Sequence, residues 1–468
     1  MVKKDKNNQK MKLKLNNNGF IYVTKYSEKF RKLIIGIAEK SALTSLGKKS
    51  LSNIGIFLFG SPSRQEMIDE SDADIMIIRK NDNEEYLKFR EEFIKNLEKE
   101  KFPKIDVPMW GNLTECKNYL ECSIIEGNQV IEAKFIYGDE TIVYELSQMR
   151  KKFCTKDKFE RIILFQKLYF DQYYKQRTIK GIKNVKYGHG GTRDFMFLTW
   201  FCNLIDISEG KRINFEDKIP YVYKSLGDIY SRKIIKFEEY KKFLKSIETV
   251  LILRNKILIQ NRGTKNEGLT YLDEGTMKKL FTKKLFNESN IKSHNDLKIV
   301  LENDLENVKQ LKLYLWNLFI EYLKKEKGLI WQRNFKKILM GEFDKHLISN
   351  IAQNDILSRT AVIWNFDKLK DVKLFNNVFV EFSKCNQWEV LASICCHAKC
   401  PSKVLDDITK RIGKKRGYEY ILKIIARNKN TNRESLKRII NNPNLEERFR
   451  IVAEIAYNKG VKKANELR

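Results

Sequence analysis

Apolar residues in the first quarter of the chain form short runs separated by charged segments. Three of these runs have the length of buried strands: Ile54–Phe59, Ile75–Ile78 and Lys104–Trp110. Apolar residues at helical spacing predict one helix over Glu28–Leu46, before the first strand, and another over residues 83–99, before the third. The pattern therefore predicts an α+β domain in which a small mixed sheet is flanked by helices.

From about Thr114 onward, the spacing of apolar residues is that of helices. Long periodic stretches cover residues 141–178, 193–206, 235–259 and 295–326. Segments rich in Gly and Asn, at residues 181–191 and 261–268, interrupt this pattern. We therefore predict an all-α domain after the sheet.

The last part of the chain, from about residue 331, repeats its apolar positions. A step of 31 residues separates Leu374, Leu405, Leu436 and Leu467 in one series, and Ile363, Ile394 and Ile425 in another. A period of this size in a helix-rich segment indicates stacked helical units, each of which buries one face against its neighbours. Because such stacks present extended surfaces, we expect residues 331–468 to bind a partner or the substrate.

Composition narrows the class of protein. The chain has 468 residues, of which 42% are hydrophobic, so it can bury the cores of several domains. No apolar run approaches the roughly 20 residues that cross a bilayer, and Met1–Asn18 lacks the apolar centre of a signal peptide. We expect a cytoplasmic protein with no membrane segment. Cys395-Cys396-His397 and Cys400 have metal-binding residue types, but they lack a second ligand pair at zinc-finger spacing.

The chain carries a large surplus of positive charge. Its 90 Lys and Arg residues exceed 60 Asp and Glu, which gives a formal net charge of +30. Between Pro401 and Ile440 there are twelve basic residues and four acidic ones. Such a surplus attracts polyanions such as RNA, although exposed lysines are also the ordinary solvated surface of a Lys-rich protein.

The candidate chemistry lies between Phe59 and Ile75. Gly60-Ser61 follows the first predicted strand, where a glycine lets backbone N–H groups approach a phosphate and the serine hydroxyl adds a donor. Asp72 and Asp74 lie two residues apart at the second strand, so both side chains project from the same face. Two carboxylates so placed can share divalent cations, which makes this stretch a candidate phosphate and metal site.

Such a site predicts transfer of a nucleotide. Mg²⁺ or Mn²⁺ held by the carboxylates would orient the triphosphate of an NTP and stabilise an in-line displacement at the α-phosphorus, with pyrophosphate leaving. A third carboxylate is expected nearby to complete the second metal site and to help deprotonate the acceptor hydroxyl. Asp106, on the third predicted strand, is the candidate, and an ordinary carboxylate at a strand end is the alternative.

At these residues the chain resembles the DNA polymerase β-like nucleotidyltransferase superfamily, and more closely the branch of the bacterial PII uridylyltransferases. That branch carries Gly-Ser-x-x-Arg-x-Glu-Met followed by Ser-Asp-x-Asp, matched here by Gly60, Ser61, Arg64, Glu66, Met67, Ser71, Asp72 and Asp74. The resemblance implies that Arg64 is a phosphate or structural anchor. It also implies that Glu66 braces the loop, with a surface ion pair as the alternative.

The resemblance extends over about residues 27–275. Lys186, Gly190-Gly191 and Arg193-Asp194 are similar to the family's Lys…Gly-Gly-Leu-Arg-Asp segment, which implies that Lys186, Arg193 and Asp194 bind the nucleotide. A helix cap that joins two subdomains is the alternative. Residues 131–135 look like part of the helix after the third strand. Because no hydrolase His-Asp motif or small-molecule sensor domain follows, we do not expect uridylyl-removing or glutamine-sensing activity.

The patterns and the resemblance together predict an enzyme of four parts. These are a basic flexible tail (1–18), the catalytic domain (19–140), a helical domain that completes the nucleotide and substrate cleft (141–330), and repeats that bind a partner or substrate (331–468). The predicted reaction transfers an NMP from an NTP to a hydroxyl of a macromolecule, either protein or RNA. The alternative is a non-catalytic, nucleotide-sensing scaffold that binds nucleic acid or a protein through its basic repeats.

Overall fold

The first 140 residues build the predicted sheet. The computed structural model describes residues 18–68, 71–81, 84–100, 105–177, 182–211, 220–261, 270–282, 292–342, 344–350, 355–366, 372–415, 417–445 and 447–461. The first elements are α1 (Asn18–Leu46), β1 (Ile54–Leu58), α2 (Gly60–Ser63), β2 (Ala73–Arg79), α3 (Glu84–Glu98), β3 (Ile105–Asn112), α4 (Leu113–Cys122), α5 (Ile125–Glu132) and β4 (Lys134–Gly138). The strand order is β3-β2-β1-β4, with β2 and β3 parallel and the other neighbours antiparallel. The predicted α+β domain with a small mixed sheet is confirmed.

Residues 131–135 were predicted to be part of a helix, and this prediction is wrong for the residues that form strand β4. Helix α5 ends at Glu132, and after Ala133 the chain continues as an edge strand that pairs with β1. All five residues of β4 are half-buried. Its apolar run, Phe135-Ile136-Tyr137, is shorter than the roughly four to eight residues that predict a buried strand.

Both faces of the sheet are buried, which explains the continuous apolar runs in β1 and β2. Ile56 and Ile77 pack with residues of α1 and α3 in one hydrophobic cluster. The side chains that alternate with them, such as Phe57 and Met76, belong to a second cluster that continues into the helical part of the chain. The sheet is therefore fixed between two helical layers, and its loops are held by packing from both sides.

The rest of the described chain is mostly helical. Its elements are α6 (Glu140–Phe153), α7 (Lys156–Arg177), β5 (Lys183–Asn184), α8 (Asp194–Ser208), α9 (Tyr221–Ser231), α10 (Phe237–Asn261), β6 (Tyr271–Leu272), α11 (Glu274–Thr282), α12 (His294–Lys327) and α13 (Leu329–Met340). The stretch predicted as one helix over 141–178 is divided at Cys154 and Thr155. Among the described helices, none combines the length and the apolar content that crossing a bilayer requires.

The last segment is a stack of short helices: α14 (Lys345–Asn350), α15 (Ile356–Trp364), α16 (Val372–Ser383), α17 (Trp388–Cys396), α18 (Ser402–Ile412), α19 (Glu419–Arg427), α20 (Arg433–Ile440) and α21 (Glu447–Lys459). Alternate helices contact each other, so α15, α17, α19 and α21 form one row, and α16, α18 and α20 form another. Ile363, Ile394 and Ile425 are fully buried in the first row. Leu467, which the 31-residue step includes, lies outside the described residues. The sequence period thus coincides with the spacing of successive helix pairs.

The stack is joined to the body of the protein through α7. Arg161 of α7 donates to the buried Glu389 of α17 at 3.0 Å, and the Phe165 ring lies 5.5 Å from the Trp388 ring. One hydrophobic cluster runs from the sheet through these contacts into α21. Removing residues 331–468 would therefore expose apolar surface of the body, and tests of the stack need point substitutions.

Candidate active site

Gly60, at the end of β1, is in direct contact with Asp74 on β2. Its backbone is left-handed, with φ +62°, and a Cβ at this position would lie 2.3 Å from Oδ2 of Asp74. The Phe59 N–H donates to the carbonyl of Asp74 at 3.2 Å, which carries the β1–β2 pairing up to the turn. Only glycine satisfies both the backbone angle and the contact. The Gly60-Ser61 turn and the Asp72/Asp74 pair therefore form one structural unit.

Asp72 and Asp74 flank a fully buried Ala73, and both are partly exposed. This alternation, with Asp72 directly before β2, is the pattern of two carboxylates on the same side of a strand. In the parallel pairing of β2 with β3, Asp106 lies directly opposite Asp74. The backbone register thus brings all three predicted carboxylate residues to one end of the sheet, while the side chain of Asp106 lies outside the described part.

Arg64 lies in a buried ion network behind the Gly60-Ser61 turn. Its Nε donates to Glu66 Oε2 at 3.0 Å and its Nη1 to Glu132 Oε2 at 2.6 Å, and all three side chains are buried. Burial raises the pKa of Glu132, which the charge of Arg64 opposes. The backbone carbonyl of Arg64 accepts the N–H of Tyr221. Of the two roles considered for Arg64, the contacts are those of a structural anchor, and the Glu66 pair is buried rather than on the surface.

A loop between β5 and α8, residues 184–194, presents two cations and is named the basic loop. The side chain of Asn184 accepts the N–H groups of Lys186 and Tyr187, both at 2.9 Å. The Arg193 N–H donates to the carbonyl of Lys186 at 3.2 Å. The Lys186 ammonium and the Arg193 guanidinium lie 5.1 and 5.7 Å from the Tyr187 ring centroid. These bonds hold Lys186 and Arg193 side by side around one aromatic ring.

Arg254 of α10 is a third cation at the same place. Burial and the charge of Arg193 lower the pKa of Arg254 to about 10, whereas the charge of Asp72 opposes the shift. Burial likewise lowers the pKa of Lys186, and the charges of Arg254 and Arg193 add to that effect. The Arg254 Nε is buried and has no hydrogen-bond partner among the described residues. Mutually repelling cations that are coupled to Asp72 are suited to binding an anion next to the carboxylates.

Sequence analysis missed Arg254 and Tyr187 as site residues. Arg254 lies on a helix between Val250 and Ile257, where most neighbours are buried and apolar. An arginine within such a stretch is a signal for a buried charge with a specific partner, and this signal was present in the sequence. Tyr187 gave no comparable signal, because its role depends on the fold of the basic loop.

Asp194 is bound within the protein rather than turned toward Asp72. Its Oδ2 accepts the Gly190 N–H at 2.8 Å, and its Oδ1 accepts from the ammonium of Lys312 at 2.7 Å. The Gly190-Gly191 pair does permit a close approach, as the sequence indicated. The group that Gly190 approaches is protein backbone, because a Cβ at Gly190 would lie 1.8 Å from the carbonyl oxygen of Leu305.

The residues at the end of the sheet fit a divalent cation. Asp72 and Asp74 offer hard oxygen ligands, and the absence of a Cβ at Gly60 lets the Asp74 carboxylate pack against the turn. No cluster of three or more His, Cys, Asp or Glu side chains with metal-binding geometry occurs within the described ranges, which do not include the Asp106 side chain. The carboxylate pair is thus the part of the predicted metal site that the structure describes.

The cysteine cluster of the repeats is packed into the helical core. Cys395 and Cys400 are fully buried, and the His397 ring lies 5.9 Å from Phe366 and 5.4 Å from Phe379. Burial raises the pKa of the Cys396 thiol to about 12. The burial and the ring contacts place this cluster in the helical core.

Comparison with known proteins agrees with this geometry. Residues 39–137 match the family model described as nucleotidyltransferase domain, and residues 170–316 match the model described as GlnD PII-uridylyltransferase. No curated protein matches the chain. The first matched segment contains the Gly60-Ser61 turn and the carboxylates, and the second contains the basic loop and Arg254. The chain is therefore a PII uridylyltransferase-like nucleotidyltransferase.

Proposed function

We propose that this enzyme transfers an NMP from an NTP to a hydroxyl of a macromolecular acceptor and releases pyrophosphate. The observation that carries the proposal is the position of Asp72. It lies beside Asp74 on the sheet and is electrostatically coupled to Lys186 and Arg254 from the helical part. Carboxylates for a metal and cations for a triphosphate therefore meet at one place.

The carboxylates have the role of metal ligands. Asp72, Asp74 and Asp106 would hold Mg²⁺ or Mn²⁺, and the bound metal would supply charge neutralisation and orientation of the triphosphate. Gly60, which has no Cβ, lets the Asp74 carboxylate lie against the turn. The buried Arg64 network holds the turn that carries Gly60 and Ser61, so the Ser61 hydroxyl can donate to a phosphate oxygen.

The three cations have the role of triphosphate ligands. Lys186, Arg193 and Arg254 repel one another without an anion, and a triphosphate would remove that repulsion. Tyr187 separates the cations of the basic loop and keeps them at fixed distances from its ring. Binding of NTP would in this way assemble the sheet and the helical part around one ligand.

The acceptor is a protein or an RNA, and one experiment separates the two. The family resemblance favours a protein hydroxyl, whereas the basic surface of the repeats favours RNA. The enzyme would be incubated with each α-labelled NTP, Mg²⁺ and a cell extract, and the product then digested with nuclease or protease. Label lost only to nuclease identifies RNA as the acceptor, and label lost only to protease identifies protein.

The control for this experiment is the Asp74→Asn variant beside Glu98→Gln, which changes an exposed carboxylate on α3. We expect no labelled product from Asp74→Asn and unchanged labelling from Glu98→Gln. If the wild type produces no label with any NTP and extract, the proposed transfer is wrong and nucleotide sensing becomes the better account.

A further inference from the structure

Lys312 of α12 is a buried cation that the proposed reaction does not use. Its side chain is 6% exposed, and its ammonium lies 2.7 Å from Asp194 Oδ1 and 3.2 Å from Asp171 Oδ1. The Asp194 side chain is fully buried, whereas that of Asp171 is 24% exposed. A buried cation that pairs with two carboxylates holds them in place. Through them it also holds the groups to which they bond.

The two carboxylates act on the basic loop in different ways: Asp194 bonds to Gly190, whereas the charge of Asp171 acts on His189. Asp194 Oδ2 accepts the Gly190 N–H, while Asp171 makes a second ion pair, with Lys167 of its own helix. Gly190 has φ +81° and lies against the carbonyl of Leu305, which is also in α12. Helix α12 therefore holds the basic loop in two ways, through backbone contact at Leu305 and through the Lys312–Asp194 pair.

The position of Gly190 determines the position of the cations. From Gly190 the chain turns back, and the Thr192 N–H donates to the carbonyl of Val185 at 2.9 Å. The N–H of the next residue, Arg193, donates to the carbonyl of Lys186 at 3.2 Å. A shift of the Gly190 end would move Lys186 and Arg193 relative to Asp72, because these hydrogen bonds transmit it through a short and rigid loop.

We infer that Lys312 and Asp194 are positioning residues, which hold the basic loop so that Lys186 and Arg193 bind the triphosphate. The identity of the ligand, an NTP, rests on the proposed function. The positioning effect rests on the contacts of Asp194. Neither Lys312 nor Asp194 touches the nucleotide in this account. Their effect is therefore on NTP affinity, and the chemical step is changed less.

The two carboxylates that share Lys312 provide a matched pair of variants. Asp194→Asn and Asp171→Asn each remove one charge beside Lys312, but only the first weakens the hold on Gly190. We expect Asp194→Asn to raise the Kd for Mg–NTP about tenfold, since small misplacements of binding groups are costly. Asp171→Asn should leave this Kd within about twofold, because Asp171 acts on His189 through its charge and does not bond to Gly190. Isothermal titration calorimetry measures both constants.

Variants of Lys312 and a second readout complete the test. Lys312→Arg keeps the charge and should retain most of the affinity, whereas Lys312→Met should behave like Asp194→Asn. Hydrogen exchange of residues 184–194 should increase in Asp194→Asn and not in Asp171→Asn, whether or not NTP binds. Equal exchange or equal Kd values for the two Asp variants would overturn the inference. A wild type that does not bind Mg–NTP would instead contradict the proposed function, and the exchange data would still decide the role of Asp194.

Discussion

At the scale of single residues, Gly60 has two constraints that can be separated by experiment. Its left-handed backbone disfavours any side chain, and its contact with Asp74 leaves no space for a Cβ. Gly210 has a similar backbone, with φ +72°, but no atom lies within 4 Å of its Cβ position. The two glycines therefore share the backbone strain and differ in the contact with the carboxylate.

We predict that Gly60→Ala lowers kcat/KM by about 100-fold or more, because the new methyl group displaces the Asp74 carboxylate. Gly210→Ala has a similar backbone cost, about 1 kcal/mol, and should leave activity unchanged. Steady-state kinetics of both variants, together with their thermal unfolding, check the prediction. Similar activity in the two variants would show that backbone strain, and not the contact, governs position 60.

The cations near Asp72 give a pH dependence of NTP affinity. The pKa of Arg254 is lowered to about 10 and that of Lys186 is also lowered, both chiefly by burial. An anion binds best to the protonated forms, so affinity is full below these pKa values and is lost as pH rises through them. We predict a Kd for Mg–NTP that increases toward pH 10 in the wild type.

Titrations between pH 7.5 and 10.5 would measure this increase. In Arg254→Met the affinity should already be weaker at neutral pH, and the remaining pH dependence should be smaller. A wild-type Kd that stays constant over the whole range would contradict the assignment of these cations to the triphosphate.

The sequence revealed the part of the site that is local in the chain. Gly60, Ser61, Asp72 and Asp74 lie within one turn and the start of one strand, so their spacing alone indicated their common face. The charge of Asp72 acts on Arg254 only in the folded chain, and no local pattern encodes that proximity. Spacing therefore predicted the residues that are neighbours in the chain, and the family resemblance predicted Lys186 and Arg193, whereas neither predicted Arg254.

At the scale of elements, the pairing of β2 with β3 determines where the third carboxylate residue, Asp106, lies. Asp106 lies opposite Asp74 in a parallel pair, although the two residues are distant in sequence. We predict that Asp106→Asn reduces kcat by about 100-fold or more, while the Kd for NTP changes little, because the acceptor hydroxyl loses its base. Single-turnover kinetics with labelled NTP measure the chemical step directly. A wild-type kcat in this variant would contradict the catalytic role and leave Asp106 as an ordinary carboxylate at a strand end.

Packing between elements also explains two features that were not predicted from the sequence. These are strand β4 and the division of the helical stretch 141–178 at residues 154–155. Strand β4 exists because β1 offers a free edge, and its half-buried residues need no apolar run. The apolar period continues across Cys154 and Thr155, so periodicity alone gives one helix where the structure has two. In both cases tertiary packing, rather than local propensity, determines the element.

At the scale of the whole molecule, the repeat stack carries a basic edge. Lys399, Lys403, Lys429 and Arg433 are exposed on adjacent loops and helix starts. Asn430 joins these loops, since its side chain donates to the carbonyls of Ala398 and Cys400, both at 2.9 Å. Basic side chains from two successive repeats are thus brought to one surface, as a polyanionic acceptor would require.

We predict that replacing Lys399, Lys403 and Lys429 by Glu raises the KM for an RNA acceptor about tenfold or more without changing NTP affinity. The matched control replaces three exposed lysines outside the repeats, Lys95, Lys151 and Lys152, by Glu. Transfer assays at two salt concentrations check the result, since a phosphate contact makes affinity depend on salt. Equal acceptor kinetics in both triple variants would remove the basic edge from the account.

The measurement that tests the central claim most directly is pyrophosphate release by the wild type, Asp74→Asn and Arg254→Met, with Mg²⁺, NTP and the identified acceptor. The account predicts release by the wild type, none by Asp74→Asn, and a raised KM for NTP with Arg254→Met. Each substitution would act on a different half of the site, the metal ligands of the sheet or the cations of the helical part. Release that persists in Asp74→Asn at the wild-type rate would contradict the proposed site.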